Sequence, residues 1–505
     1  MNLRALLKKE TTRYLHLVEE LYYAKDSLSS EQLMMALNCS RPTLISDTQF
    51  LNMADLSFRI TKTRGLYTID FDLDATIDVV YADILRNCLE FQTIKSLFFE
   101  ENDSIQTAAL NLNCSFSNMQ RCLQNIKLVM TVWDLSICHR PLHVTGDEAV
   151  IRRFFYLFFK ESRATLTDYG FSQTLTAAMD PFLRQLLSEN NLATTGNSYD
   201  YLMHHFLIGL QRQKQGHFMQ NCFFKSDLIF PAESDHLIQL IKRETASTFT
   251  ELHLVDCLWP LFTHQLILNE HQQLLAQQKN KSLAAFYTEH RLLLERISAL
   301  LTDPLSQTEM VEILRLLGNE LFAYFPTNYP LEILQETDKL LRLVDEKYKR
   351  EFIQLEKIVN DFLDLKERRV LSSIYLNCLL TNIDHLLPRL VDPANPIKVL
   401  LLSDTVNQQH FWCSTFPTAI KGTVQYDYFD HSLSLSADLE TLTSQYDLII
   451  TNKTMIERMA TCSIIAVNTY PTAKDFEQIQ QFINQFRSSP SRKERYHELT
   501  PTAQT

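Results

Sequence analysis

The clearest pattern in the chain lies at residues 29–52, S-S-E-Q-L-M-M-A-L-N-C-S-R-P-T-L-I-S-D-T-Q-F-L-N. Leu33, Ala36 and Leu37 share one face of a short helix. Leu44, Thr48 and Leu51, with Ile45 beside them, share one face of a second. Asn38-Cys39-Ser40 joins the two. Ser40 is placed to N-cap the second helix, and Pro42 falls in its first turn, where a missing N–H costs little. A short helix, a tight turn and a second helix make the frame that inserts a helix into the DNA major groove. The outward positions are then Arg41, Thr43, Ser46, Asp47 and Gln49.

The same pattern returns further along. Asn38-Cys39-Ser40 reappears as Asn113-Cys114-Ser115, an offset of 75 residues, and Leu44 and Leu51 land on Met119 and Ile126. Self-similarity at one fixed offset predicts a duplicated unit. Its outward positions are Ser117, Asn118, Gln120, Arg121 and Asn125. Each copy is followed by a hairpin signal. In the first, Leu56, Phe58 and Ile60 alternate with polar residues, Lys62-Thr63-Arg64-Gly65 turns, and Leu66, Tyr67 and Ile69 return. In the second, Trp133, Leu135 and Ile137 lead into Cys138-His139-Arg140-Pro141, and Leu142 and Val144 return. These are winged helix-turn-helices, with Lys62, Arg64 and Arg140 on the wings facing phosphates.

The remaining pattern is mostly helical. Residues 2–25 and 74–100 read as the lead helices of the two units, which end near Asp70 and residue 164. The Phe-rich stretch 147–160 reads as a buried connector. Residues 165–390 are helical in period, with breaks expected at Pro181, 194–197, Gly216, Pro231, Asp303-Pro304 and 326–330. Two blocks fit, 165–280 and 281–390. From Pro396 short apolar runs alternate with helices, which predicts a small α/β domain with a largely parallel sheet over 391–487. Residues 488–505 are polar and read as a disordered tail.

Composition narrows the classes. At 505 residues the chain exceeds one core. Only 8 glycines disfavour Gly-rich nucleotide folds, and the Leu-rich remainder favours helix. A net charge of −12 argues against a protein that coats nucleic acid non-specifically, although residues 1–65 carry nine Lys/Arg against seven Asp/Glu. Binding is then expected to draw on several sites and on a homodimer or higher oligomer. The ten cysteines form no C-x-x-C pair, as expected of reduced thiols in a cytoplasmic protein. No run reaches the ~18 apolar residues of a membrane span. No P-loop, G-x-S-x-G or H-E-x-x-H is present, so neither enzyme activity nor a cofactor is expected.

Two tandem winged helix-turn-helices, two helical blocks and a small α/β domain, together with I-R-R-F-F-Y-L-F-F-K-E-S-R at 151–163, resemble the Mga-type transcription regulators of Gram-positive bacteria. The resemblance implies that the helical blocks are phosphotransferase-system regulation domains and that the last domain is similar to a sugar-transporter IIB subunit. It implies a double-stranded DNA partner and phosphocarrier partners. It also implies phosphorylated histidines: His205, with His204 adjacent, precedes Arg212 by seven residues, and His264 follows Asp256 by eight. Arg212 is then a candidate partner for the phosphoryl group.

The chain departs from the family pattern in two places. In the second block His290 precedes Arg296 by six residues, and 317–335 contains no histidine. In the α/β domain the first strand runs into Ser403-Asp404-Thr405 where a IIB phosphocarrier presents Cys or His; His410 and Cys413 come too late. The alternatives are an RNA-binding antiterminator, disfavoured by the two helix-turn-helices, and a phosphocarrier, disfavoured by the missing acceptor.

Overall fold

In the computed structural model, the chain opens with two successive runs of lead helix, helix–turn–helix and hairpin. The structure describes residues 3–24, 26–54, 56–73, 75–192, 196–219, 228–245, 248–263, 266–322, 336–365, 371–390, 396–403, 405–421, 424–428, 445–452 and 462–488. His264, Asp404, the expected break at 326–330 and the tail beyond residue 488 lie outside them. The fold is mostly helical with small sheets, and it divides into two compact units, residues 1–284 with 318–336 and residues 285–317 with 337–505.

In the first run a 3-10 turn (Leu3–Leu6) precedes α1 (Lys9–Tyr23), so the expected single helix is broken at Leu7. Strand β1 (Leu28–Ser29), α2 (Ser30–Ala36) and α3 (Arg41–Met53) follow, then β2 (Phe58–Thr63) and β3 (Leu66–Phe71). The three strands form an antiparallel sheet in the order β1-β3-β2. In the second run the expected lead helix over 74–100 is two helices, α4 (Ile77–Arg86) and α5 (Leu89–Phe99). Asn87 caps α4 and Cys88 is extended, so the chain turns between two apolar faces that periodicity alone merges. Then come α6 (Ile105–Asn111), α7 (Phe116–Thr131) and the hairpin β4 (Ser136–His139) with β5 (Leu142–Thr145). Trp133 and Leu135 are buried in the turn before β4 rather than in a strand.

The Phe-rich connector is α8 (Glu148–Glu161), and Phe154, Phe155, Phe158 and Phe159 are all buried, as its pattern predicts. The helices Gln173–Glu189, Gly196–Lys214, Glu233–Thr245 and Glu251–Cys257 follow in the same unit. Pro181 does not break the first of these; it sits inside the helix, at the cost of one backbone hydrogen bond. Gly209 is required where it stands, because a Cβ there would come within 2.8 Å of the Cys257 backbone.

The second unit contains Gln307–Leu317, Ser372–Asn382 and Leu386–Leu390, and most of Glu336–Asp364, which kinks at Tyr348. His290 is buried within it. Its Nδ1 lies 2.7 Å from the Phe286 carbonyl and its Nε2 2.9 Å from the Tyr375 hydroxyl, so both ring nitrogens are engaged. The four strands β6 (Ile397–Leu402), β7 (Val424–Tyr428), β8 (Leu448–Thr451) and β9 (Ser463–Ala466) are parallel, in the order β7-β6-β8-β9. Val399, Leu401, Leu448 and Ile450 pack in one apolar layer and Leu400, Leu402 and Ile449 in another, the two-sided burial a parallel sheet requires.

Candidate nucleic-acid interface

The two helix–turn–helix elements are built by the same local contacts. Asn38 (φ 46°) and Asn113 (φ 50°) both take the left-handed conformation that ends a helix, one that asparagine tolerates. The next N–H closes the turn in each case, Cys39 to the Met34 carbonyl (3.1 Å) and Cys114 to the Ala109 carbonyl (2.9 Å). Ser40 then accepts from the Thr43 N–H and Ser115 from the Asn118 N–H. Even the first helices begin alike: Ser29 caps α2 with a reciprocal bond to Gln32, and Ser104 caps α6. Leu44 and Leu51 in α3, and Met119 and Ile126 in α7, are buried as their spacing predicts.

Asp47 does not face outward. It is 3% exposed and forms a two-point ion pair with Arg13 of α1, its Oδ1 accepting from the guanidinium at 2.9 Å. It braces α3 and is withdrawn from the candidate interface. At the matching position in α7 stands Cys122, buried beside the Thr93 hydroxyl at 3.5 Å, its thiol pushed up to about 11 by burial. Since Asp47 is the only acid in either helix, neither α3 nor α7 presents a carboxylate to solvent.

Arg41, Ser46 and Gln49 are exposed on α3, and Thr43 is half-buried with its hydroxyl 2.8 Å from that of Ser40. Ser117, Asn118, Gln120 and Arg121 are exposed on α7, and Asn125 is half-buried. Gln124 and Lys127 of α7 are exposed as well, and the 75-residue offset from Gln49 points to the first of them. On the first wing Arg64 and Gly65 both have positive φ, the two-residue turn that matches strand twist. Lys62 is exposed and lies over the Tyr67 ring. Asn52 at the end of α3 grips β2 from both sides, donating to the Ile60 carbonyl and accepting from its N–H at 2.8 Å each. That clamp fixes the wing against the outward helix. Arg140 is exposed at the second turn.

Two of the three candidate phosphoryl acceptors, His204 and His205, sit in the helix Gly196–Lys214; the third, His264, lies outside the described residues. His205 is 0% exposed, enclosed by the rings of Tyr156, Tyr201 and Trp259, with the Trp259 indole N–H 3.3 Å from Nδ1. Burial, with the charges of Arg153, Arg152 and His204, pushes its ring well below the usual histidine range. His204 is half-buried, and the Tyr169 hydroxyl lies 2.5 Å from its Nδ1. Burial lowers its ring too, against the opposing charge of Asp200.

Arg212 faces neither histidine as a free cation. It is held by Glu148 at the head of α8 and by Glu100 at the end of α5 (3.0 Å). The expected phosphoryl partner is therefore part of a buried ionic joint. Glu148 also accepts from Arg152 (2.9 Å), and Arg152 binds Asp256 (2.7 Å). Asp256 further accepts from Gln213 and from the Met219 N–H. Glu100 receives His217 as well, at 2.7 Å. Burial pushes the Glu148 carboxyl up, but Arg212 and Arg152 together hold it below its ordinary value. The helix that carries His204 is thus locked to the second helix-turn-helix run.

No helix among the described residues is long and apolar enough to cross a membrane, and no cluster of three metal-binding side chains occurs among them.

Residues 73–159, from the start of the second run into α8, match the Mga helix-turn-helix domain. The chain is similar to a protein of Streptococcus pneumoniae named as a trans-acting regulator, 26% identical over 221 residues, covering 43% of this chain and 44% of that one. It is 22% identical over 213 residues to the capsule synthesis positive regulator AcpA of Bacillus anthracis, covering 42% and 44%. For AcpB of the same organism the figures are 20% over 217 residues, 42% and 45%. The chain thus spans less than half the length of each of these relatives. The resemblance to Mga-type regulators, read first from domain order, is carried by these matches.

Proposed function

We propose that this chain, which carries an Mga helix-turn-helix domain, is a DNA-binding transcription regulator with two duplex-contacting units. The observation that carries the reading is the repeated element itself. Two helices with matching caps, matching buried faces and carboxylate-free outward faces are each followed by a hairpin bearing basic residues. Phosphates repel exposed carboxylates, and Arg, Ser, Asn and Gln are the side chains that contact base edges and backbone. A labelled duplex of random sequence tests this by anisotropy. Affinity should fall steeply with salt, because each phosphate contact releases counterions. A chain that leaves the duplex unbound at low salt contradicts it.

The regulatory part of the proposal rests on the helical block. His204 is the acceptor the geometry favours over the sealed His205: Tyr169 engages Nδ1, which leaves Nε2 to take the phosphoryl group. The added charge of up to −2 perturbs a helix whose Arg212 is bound to Glu148 and Glu100. Phosphotransferase-system carriers are the proposed donors, and a change of assembly state the proposed output. The helical blocks act as regulation domains, and the parallel β7-β6-β8-β9 sheet with its helices acts as a IIB-like domain that self-associates. The buried Ser403, whose hydroxyl donates to the Thr405 carbonyl, stands where a phosphocarrier would need its nucleophile.

A further inference from the structure

Helical periodicity places Pro42, Ser46, Gln49 and Met53 on the line of α3 opposite the buried Leu44, Asp47 and Leu51. The equivalent line of α7 is Ser117, Arg121, Gln124 and Leu128, opposite Met119, Cys122 and Ile126. All eight are exposed. Two positions agree in chemistry between the copies. Gln49 matches Gln124, and one turn further on Met53 (84% exposed) matches Leu128 (63% exposed). One exposed apolar side chain needs no explanation. A large apolar side chain held in solvent at the same place in both copies, four residues beyond the same glutamine, does. The third position differs: Ser46 against Arg121.

These chemistries have defined complements in the major groove. A glutamine amide pairs with N6 and N7 of adenine, an apolar side chain lies against the C5-methyl of thymine, and arginine pairs with O6 and N7 of guanine. We infer that Gln49 and Gln124 each read an adenine and that Met53 and Leu128 each lie against a thymine methyl. Arg121 adds to the second unit a guanine contact that Ser46 does not supply in the first. The two units therefore recognise related but unequal, A·T-containing sequences, and the bound site is not a repeat of one half-site. This deepens the duplex-binding reading above and rests on it.

The test selects bound sequences from a random-core duplex library with the full chain. Variants Gln49→Ala, Gln124→Ala, Arg121→Ser and Met53→Ala are run alongside and matched to the wild type in thermal melting. The wild type should enrich two distinct A·T-containing motifs. Gln49→Ala should flatten adenine preference in one and Gln124→Ala in the other, each weakening binding roughly tenfold. Arg121→Ser should erase a guanine from the second motif only. Replacing the contacted thymine of the first motif by deoxyuridine, which removes only the methyl, should weaken the wild type by roughly threefold or more and leave Met53→Ala unaffected. Enrichment with unchanged preferences in both glutamine variants overturns this inference and leaves duplex binding standing. No enrichment by a wild type that still binds the random duplex at low salt overturns this inference alone; a wild type that does not bind that duplex overturns the duplex-binding reading and this inference with it.

Discussion

Arg212 and Glu148 meet through two parallel hydrogen bonds, Nε to Oε1 at 3.0 Å and a terminal nitrogen to Oε2 at 2.9 Å, with the arginine only 1% exposed. The fork geometry joins the helix of His204 to α8 and orients both. Breaking one side removes one of two counter-charges, since Arg212 keeps Glu100 and Glu148 keeps Arg152, and costs about 1–3 kcal/mol. Glu148→Gln and Arg212→Met should each lower the unfolding free energy by that order, and the double variant should lose less than the two losses added. Chemical denaturation of the four species checks this; strict additivity would show the pair to be uncoupled.

Asp47 offers a sharper separation of roles. As a brace to Arg13 it should contribute stability, so Asp47→Ala should destabilise the first unit by about 1–3 kcal/mol. A residue that read DNA would instead alter binding with no change in melting. Thermal unfolding beside duplex affinity distinguishes the two.

The histidines set a pH dependence. Burial depresses both His204 and His205 below the ordinary 6.5, so the unfolded chain binds protons there that the folded chain does not. Stability should therefore rise with pH up to about 6.5 and level off above it, with a slope of up to about 1.4 kcal/mol per pH unit for each histidine. His205→Phe should flatten the slope below pH ~6.5. An unaltered slope would contradict the burial described for this ring.

Incubation with the two general phosphotransfer proteins and phosphoenolpyruvate should label the chain at an acid-labile, base-stable position. His204→Ala should abolish the label; label retained in a variant lacking His204, His205 and His264 would place the chemistry elsewhere. Truncation after Leu390 should shift light-scattering mass towards monomer, and an unchanged mass would remove self-association from the α/β domain.

What could be read in the sequence was what is local. Ser40, Ser115 and the two asparagine turns declare themselves within a few residues, and the 75-residue offset carries them from one copy to the other. Asp47 was misplaced because its partner, Arg13, is 34 residues away in another helix. Helical spacing sets it on the side of Leu44 and Leu51, its charge argues for solvent, and only the tertiary ion pair lets a carboxylate stay buried there. Arg212 was misassigned for a related reason. Spacing along a helix says that two side chains are two turns apart, not that Glu100 and Glu148 have already claimed one of them. The connector α8 was legible as buried, but the carboxylate at its head, which ties the joint together, carried no signal in the pattern.

The claim that both outward helices contact duplex DNA is tested most directly by Arg41→Ala and Arg121→Ala, alone and together, on one enriched duplex at moderate salt. Each arginine is exposed on its own helix, so folding should be untouched. Each single variant should weaken binding by roughly five- to a hundredfold, about 1–3 kcal/mol, and the double by the product. Affinity equal to the wild type in the double variant would contradict the account.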